Sequence, residues 1–202
     1  MHFGGAGSAR SAPPPRAGQK VVLKSQRESV APDAFLASHY DRACNQFREM
    51  IGNSAALGGS AVVITSVEYY GFENSPMQTR FDAAKLTFQQ KNKDDKEVWV
   101  FHGTKTEAAI SSIMTGGFKV GGQDVPVAVG TAYGQGVYSA CGPSTPMGYG
   151  QATKAVILAK ALPGACRGGH ETGGGDSWRP NGDWYIFKKS EQVMPCYVVR
   201  LG

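Results

Sequence analysis

An α+β domain with a mostly antiparallel sheet is what this 202-residue sequence predicts. Three observations carry the prediction. Helix-period apolar patterns fill the first half of the chain, and strand-like runs dominate the second. The 27 glycines point to long connections between elements rather than to a helical bundle. No internal repeat is present.

The elements follow in chain order. A helix is expected from Pro32 to Ile51, with Phe35, Leu36, His39, Tyr40, Ala43, Phe47, Met50 and Ile51 along one side and Gly52 as its stop. On that face His39 reads as a packing residue. The β-branched run AVVITSVEYY, Ala61–Tyr70, reads as a strand. Ser75 and Pro76 cap a second helix, which buries Met77, Phe81, Ala84 and Phe88. The polar run KNKDDKE is a loop leading to a strand that carries Val98, Val100 and Phe101. Thr104 and Glu107 form a T-x-x-E pattern, read as a capping box that starts a third helix at Lys105. Gly116 and Gly117 supply the left-handed residue that ends it. Beyond Phe118, the pieces GVYSA, KAVILAKAL, DWYIFK and CYVVRL are strands. The segment ACRGGHETGGGDSWRPNG, residues 165–182, reads as a mobile loop.

The net charge of +5 belongs to the start of the chain. Arg10, Arg16, Lys20, Lys24 and Arg27 precede the first acid, Glu28, and the remaining basic residues balance the 16 acidic ones. Residues 1–27 are read as a disordered basic tail rich in Gly, Ser, Ala and Pro, ahead of one domain at 28–202. A neutral domain argues against a broad nucleic-acid face. The acid-free start is like a transit peptide in composition, but Pro13–Pro15 would break the helix such a peptide needs. No apolar run approaches a membrane span, so no membrane partner is expected. Cys44, Cys141, Cys166 and Cys196 are widely spaced with no C-x-x-C pair. That predicts no metal site and reduced thiols, as in the cytoplasm or nucleus. Cys141 reads as a small loop residue and Lys188–Lys189 as a solvated strand end.

The chemistry concentrates at two places. His102 and Gly103 sit where a strand meets a helix N-terminus, a corner whose free N–H groups favour polar or anionic ligands. A turn histidine satisfied by a nearby carbonyl is the plainer alternative. Downstream, Tyr133, Tyr138 and Tyr149 are interleaved with glycines that allow close approach of backbone to ligand. Two such rings can clamp a flat heterocycle between their faces.

V-F-H-G-T, a helix and G-F, then Y-G-Q-G-V-Y-S-A, then Tyr149 eleven residues past Tyr138, together resemble the ADP-ribosyltransferase catalytic domain of the poly(ADP-ribose) polymerase family. The resemblance extends back to EYYGFENSPMQTRFDAAK and on to WYIFKKSEQVMPCYVVRL, covering roughly Ser66–Leu201. It implies the ADP-ribosyltransferase fold, a split antiparallel sheet with flanking helices, and NAD as substrate. By resemblance His102 bonds the adenosine ribose, the Gly103 backbone holds the nicotinamide carboxamide, and Thr104 touches the same ribose. Tyr138 matches the second motif residue and Tyr149 the second nicotinamide-stacking tyrosine. Tyr133, Ser139 and Ala140 border the dinucleotide.

Two positions depart from the family. Pro146 stands where a serine commonly bonds the carboxamide, and Ser144 or Thr145 is the substitute at hand. Counting eight residues back from Gln192, the slot of the glutamate of chain-forming members holds Trp184. Asp183 is adjacent but faces the other side of a strand. Glu171 and Asp176, in the preceding loop, are the other carboxylates that could reach inward. The resemblance with this departure implies transfer of single ADP-ribose units to a macromolecule, with a protein acceptor expected and a nucleic-acid end as the other choice. The rival expectation is a catalytically weak module that binds NAD or ADP-ribose.

Overall fold

A computed structural model describes residues 13–24, 33–52, 62–121, 123–124, 133–170 and 174–202. The elements run β1 (Val21–Leu23), α1 (Ala34–Gly52), β2 (Ile64–Tyr69), α2 (Pro76–Gln90), β3 (Val98–His102), α3 (Glu107–Gly116) and β4 (Val137–Ala140). They continue with α4 (Ser144–Tyr149), β5 (Ala155–Ala161), β6 (Cys166–Gly168), β7 (Ser177–Arg179), β8 (Trp184–Phe187) and β9 (Val193–Leu201). The strands form one sheet in the order β1-β2-β9-β5-β3-β4-β8-β7-β6, antiparallel at every pairing except β6 with β7. This is the α+β, mostly antiparallel architecture that the sequence predicts.

Both faces of the sheet centre are covered, which explains why β5 reads as a nearly unbroken apolar run. Val156 and Leu158 of β5 pack with Phe47 of α1 and Phe81 of α2, whereas Ile157 and Ala159 pack with Ile110 and Met114 of α3. Ser75 starts α2 by accepting a hydrogen bond from the Gln78 N–H at 3.2 Å, with Pro76 at the first helical position. That cap aims Met77, Phe81 and Phe88 at the core, each worth about 1.5–3 kcal/mol if fully buried. His39 is buried between sheet and helix, its Nδ1 2.7 Å from the Tyr197 hydroxyl and its ring stacked on Tyr69. It is a satisfied packing residue, as expected.

Three expectations need correction. Part of the expected basic tail is ordered: Val21–Leu23 pair antiparallel with β2, and the Gly18 N–H donates to the Tyr70 carbonyl at 2.8 Å. The edge of β2 offers unpaired backbone groups, and the apolar V-V-L triplet satisfies them while burying Leu23. Gly71, at φ +59°, lets the two segments meet, since a Cβ there would lie 2.4 Å from the Arg16 carbonyl oxygen. Residues 1–12 and 25–27 of the expected tail lie outside the described residues, as does Pro32, the expected start of the first helix.

The third helix starts two residues later than the T-x-x-E pattern suggests. Thr106 is the cap, accepting from the Ala109 N–H at 3.2 Å, and Glu107 is the first helical residue. Gly117, at φ +89°, ends the helix as expected. The segment 165–182 is not wholly a loop either. It holds β6 and β7, and Trp178 and Ser177 are buried, the latter donating to the Pro163 carbonyl at 2.7 Å.

Candidate active site

The sheet splits between β3 and β4, which pair only at Phe101 and Ala140. Just beyond that point the two strands are joined by a side chain. His102, the last residue of β3, lies with Nδ1 2.7 Å from the Tyr138 carbonyl oxygen. A carbonyl can only accept, so Nδ1 carries the proton and donates. Burial lowers the imidazole below its ordinary pKa, against the opposing effect of the Tyr138 bond, so His102 is neutral at pH 7. Its Nε2 is then an acceptor, suited to a hydroxyl donor. The edge of Phe118 packs on the ring at 5.1 Å. The histidine is thus satisfied by a carbonyl, as the plainer reading had it, and that same bond orients its second nitrogen.

Gly103 continues from β3 directly against α4. A Cβ on it would lie 1.9 Å from the Pro146 carbonyl oxygen, so no other residue fits without moving backbone. Pro146 is buried within α4, in the serine slot. The Ser144 Oγ, also on α4, is buried with no hydrogen-bond partner among the described residues. Tyr149 ends α4 and is 40% exposed. Thr104 offers its carbonyl to the Thr153 hydroxyl at 3.2 Å.

The opposite wall is built on β4 and β8. Tyr138 pairs with Ile186 and Ala140 with Trp184, so Tyr138, Ala140 and Trp184 share one face of this strand pair. Ser139 pairs with Tyr185 on the other face. Its side chain therefore points away from Tyr138 and Trp184, and its Oγ is buried without a partner among the described residues. The Tyr138 hydroxyl donates to the Gly134 carbonyl at 2.8 Å and accepts from the Tyr133 N–H at 3.2 Å, fixing the turn before β4. Tyr133 meets Trp184 edge to face at 5.6 Å, and its carbonyl accepts from Trp178 Nε1 at 2.6 Å.

Trp184 thus fills its slot with a packed indole. Of the neighbouring carboxylates, Asp176 is engaged elsewhere. Asp176 accepts from Lys93 Nζ at 2.6 Å and from the Ala165 N–H at 3.0 Å, which ties it to the loop after α2. Asp183 sits just ahead of β8, out of phase with Trp184, its carbonyl taking the Cys141 N–H at 2.7 Å. Glu171 lies outside the described residues. Among the described residues no group of three or more His, Cys, Asp or Glu is arranged to hold a metal ion, and no helix is long and apolar enough to cross a membrane.

Sequence reasoning missed Arg200 and Thr153. Arg200 Nη1 and Nη2 donate to the two Glu107 carboxylate oxygens at 2.6 and 2.8 Å. The one signal was a charge inside the otherwise apolar closing strand, matched by Glu68 inside β2.

No curated protein matches the chain. Residues 78–167 match the family model of the poly(ADP-ribose) polymerase catalytic domain. That span runs from α2 to the start of β6 and includes His102, Gly103, Tyr138 and Tyr149. Taken with the split antiparallel sheet and its joining histidine, the match shows that the central part of this chain, residues 78–167, is similar to the poly(ADP-ribose) polymerase catalytic domain.

Proposed function

We propose that the chain transfers one ADP-ribose unit from NAD to a macromolecular acceptor and releases nicotinamide. The observation that carries the single-unit reading is Trp184 at the head of β8, packed on Tyr133 where chain-forming relatives have a glutamate. In this reading His102 Nε2 accepts a hydroxyl of the adenosine ribose and the Gly103 backbone bonds the carboxamide. Tyr138 and Tyr149 flank the nicotinamide ring. Thr104, Tyr133, Ser139 and Ala140 border the dinucleotide, Ser139 through its backbone.

Breaking the nicotinamide–ribose bond builds positive charge on the ribose, as glycoside cleavage does. Neutral His102 and aromatic walls hold the dinucleotide without adding a repelling charge, and positioning supplies much of the catalysis. Chain growth needs a ribose hydroxyl to be activated, and the slot that would supply the carboxylate for it holds Trp184. Single transfer needs less, because an acceptor can bring its own carboxylate or base. A protein side chain is the acceptor we favour. Unpaired cysteines at 44, 141, 166 and 196 agree with a cytoplasmic or nuclear site of action.

The test is mass spectrometry of the protein and candidate acceptors after incubation with NAD. Single ADP-ribose increments support the reading, and repeated increments on one residue overturn it. The second reading is an NAD-binding module without turnover, favoured by Pro146 in the serine slot. A thermal shift with NAD and no transfer would select it.

A further inference from the structure

We propose that Arg200 is a positioning residue for the NAD cleft, tying the loop after β3 to the turn after α4 so that the wall carrying His102, Gly103 and Tyr149 keeps its shape. The proposal rests on reading that cleft as the NAD site.

Arg200 stands one residue before the end of β9. Its Nε donates to Glu68 Oε1 of β2 at 2.9 Å, and its two terminal nitrogens clamp Glu107, the first residue of α3. Nη1 also donates to the Thr153 carbonyl at 3.2 Å. The Thr153 hydroxyl in turn lies 3.2 Å from the Thr104 carbonyl oxygen and 3.0 Å from that of Gly150. One guanidinium therefore reaches, directly or through Thr153, the residue after His102–Gly103 and the residue after Tyr149. Its anchor is firm: Glu68 is 4% exposed and also takes Lys20 Nζ at 3.0 Å and the Tyr70 hydroxyl at 3.1 Å. A buried ion pair alone is weak evidence of stabilisation, since apolar replacements often do as well. Here the branches run to the two segments, after β3 and after α4, that together build one wall of the cleft. Four contacts in fixed directions also need the planar fork of arginine, which the lysine ammonium lacks.

The experiment compares wild type with Arg200→Gln, Arg200→Lys and Thr153→Val. It reads backbone hydrogen exchange of the free protein, KM and kcat for NAD, and Tm. Arg200→Gln should raise KM about 10-fold while kcat falls less, as for a positioning defect. Residues 103–107 and 150–154 should exchange faster while β5 and β9 stay protected. Arg200→Lys should recover only part of the loss. Thr153→Val spares the buried pair, so it should fold normally and still loosen both segments. Unchanged exchange there in Thr153→Val overturns the proposal, as does a lowered Tm with KM unchanged in Arg200→Gln. If wild type fails to bind NAD, the functional reading falls, while the exchange data still decide whether Arg200 braces the cleft.

Discussion

Gly103 and Pro146 are in backbone contact so close that a single methyl group on the glycine would fall 1.9 Å from the proline carbonyl oxygen. The end of β3 and the middle of α4 are thereby pressed together, which sets where Tyr149 stands relative to His102. Gly103→Ala must push α4 away, at a cost of about 1–3 kcal/mol typical of overpacking. Expected outcomes are a lower Tm and loss of the thermal shift with NAD. Gly148→Ala, where a Cβ meets nothing within 4 Å, is the control and should bind NAD normally. Equal NAD-induced shifts in Gly103→Ala and wild type would contradict the close-contact argument.

Replacing His102 tests the strand-bridging hydrogen bond. His102→Ala loses a neutral hydrogen bond of about 0.5–1.5 kcal/mol and leaves the Tyr138 carbonyl without that donor. Transfer of labelled ADP-ribose should fall far more than Tm does if the ring positions the dinucleotide as proposed. Undiminished labelling by the variant would remove His102 from the site.

The tyrosines should separate by role. Tyr149 presents an open ring, so Tyr149→Phe should bind NAD nearly as well as wild type. Tyr149→Ala should lose a stacking contribution of about 0.5–1.5 kcal/mol beyond buried area. Tyr138 differs, because its hydroxyl holds the Tyr133–Gly134 turn. Tyr138→Phe should therefore lower Tm, each lost hydrogen bond costing about 0.5–1.5 kcal/mol. Calorimetric Kd values and melting curves on the three variants decide the assignments.

Trp184→Glu should not create a chain-forming enzyme. Truncating a packed tryptophan costs about 3–5 kcal/mol when fully buried, and the half-buried Trp184 belongs at the low end. The new carboxylate would also face aromatic carbon at Tyr133 rather than a hydrogen-bond donor. The expected variant is less stable and adds single units at most. ADP-ribose ladders on a denaturing gel would show that the carboxylate alone suffices.

Acid should weaken the fold in two stages. His39 and His102 both have pKa values lowered from 6.5, in each case chiefly by burial. The unfolded chain therefore binds protons that the folded chain does not, and stability falls as pH drops below about 6.5. Glu68 and Glu107 act lower. Burial alone would raise Glu68, but hydrogen bonds from Arg200 and Lys20 hold it below 4.5, and the Arg200 bond does the same for Glu107. Their contribution is present above 4.5 and lost as pH falls through their lowered values. Tm measured from pH 8 to pH 3 should show both declines. His39→Gln should flatten the first, and an unaltered profile would place the proton uptake elsewhere.

Much of the framework could be read from local pattern. Helices α1 and α2, the Ser75–Pro76 cap, the Gly117 stop and strands β2 to β5, β8 and β9 all announce themselves within a few residues. The start of α3 was misplaced because T-K-T-E holds two threonines, and only the backbone path shows that Thr106 takes the cap. Strands β1, β6 and β7 have three residues each, too short to carry a period, and owe their form to the neighbours they pair with.

By itself the sequence determined the spacing of His102, Tyr138 and Tyr149 and placed a tryptophan, not a carboxylate, at position 184. Both are matters of residue identity and order. Only the tertiary structure decided which other groups could stand in. Asp176 is taken by Lys93, 83 positions away, and Ser139 is turned to the far face of β4 by its pairing with Tyr185. The brace from Arg200 to Glu107 spans 93 positions. Caps and periodicities act between residues within about one helical turn or strand step and so leave a mark in the sequence. A hydrogen bond between distant segments leaves none, because its partners meet only after the strands have chosen their order and register.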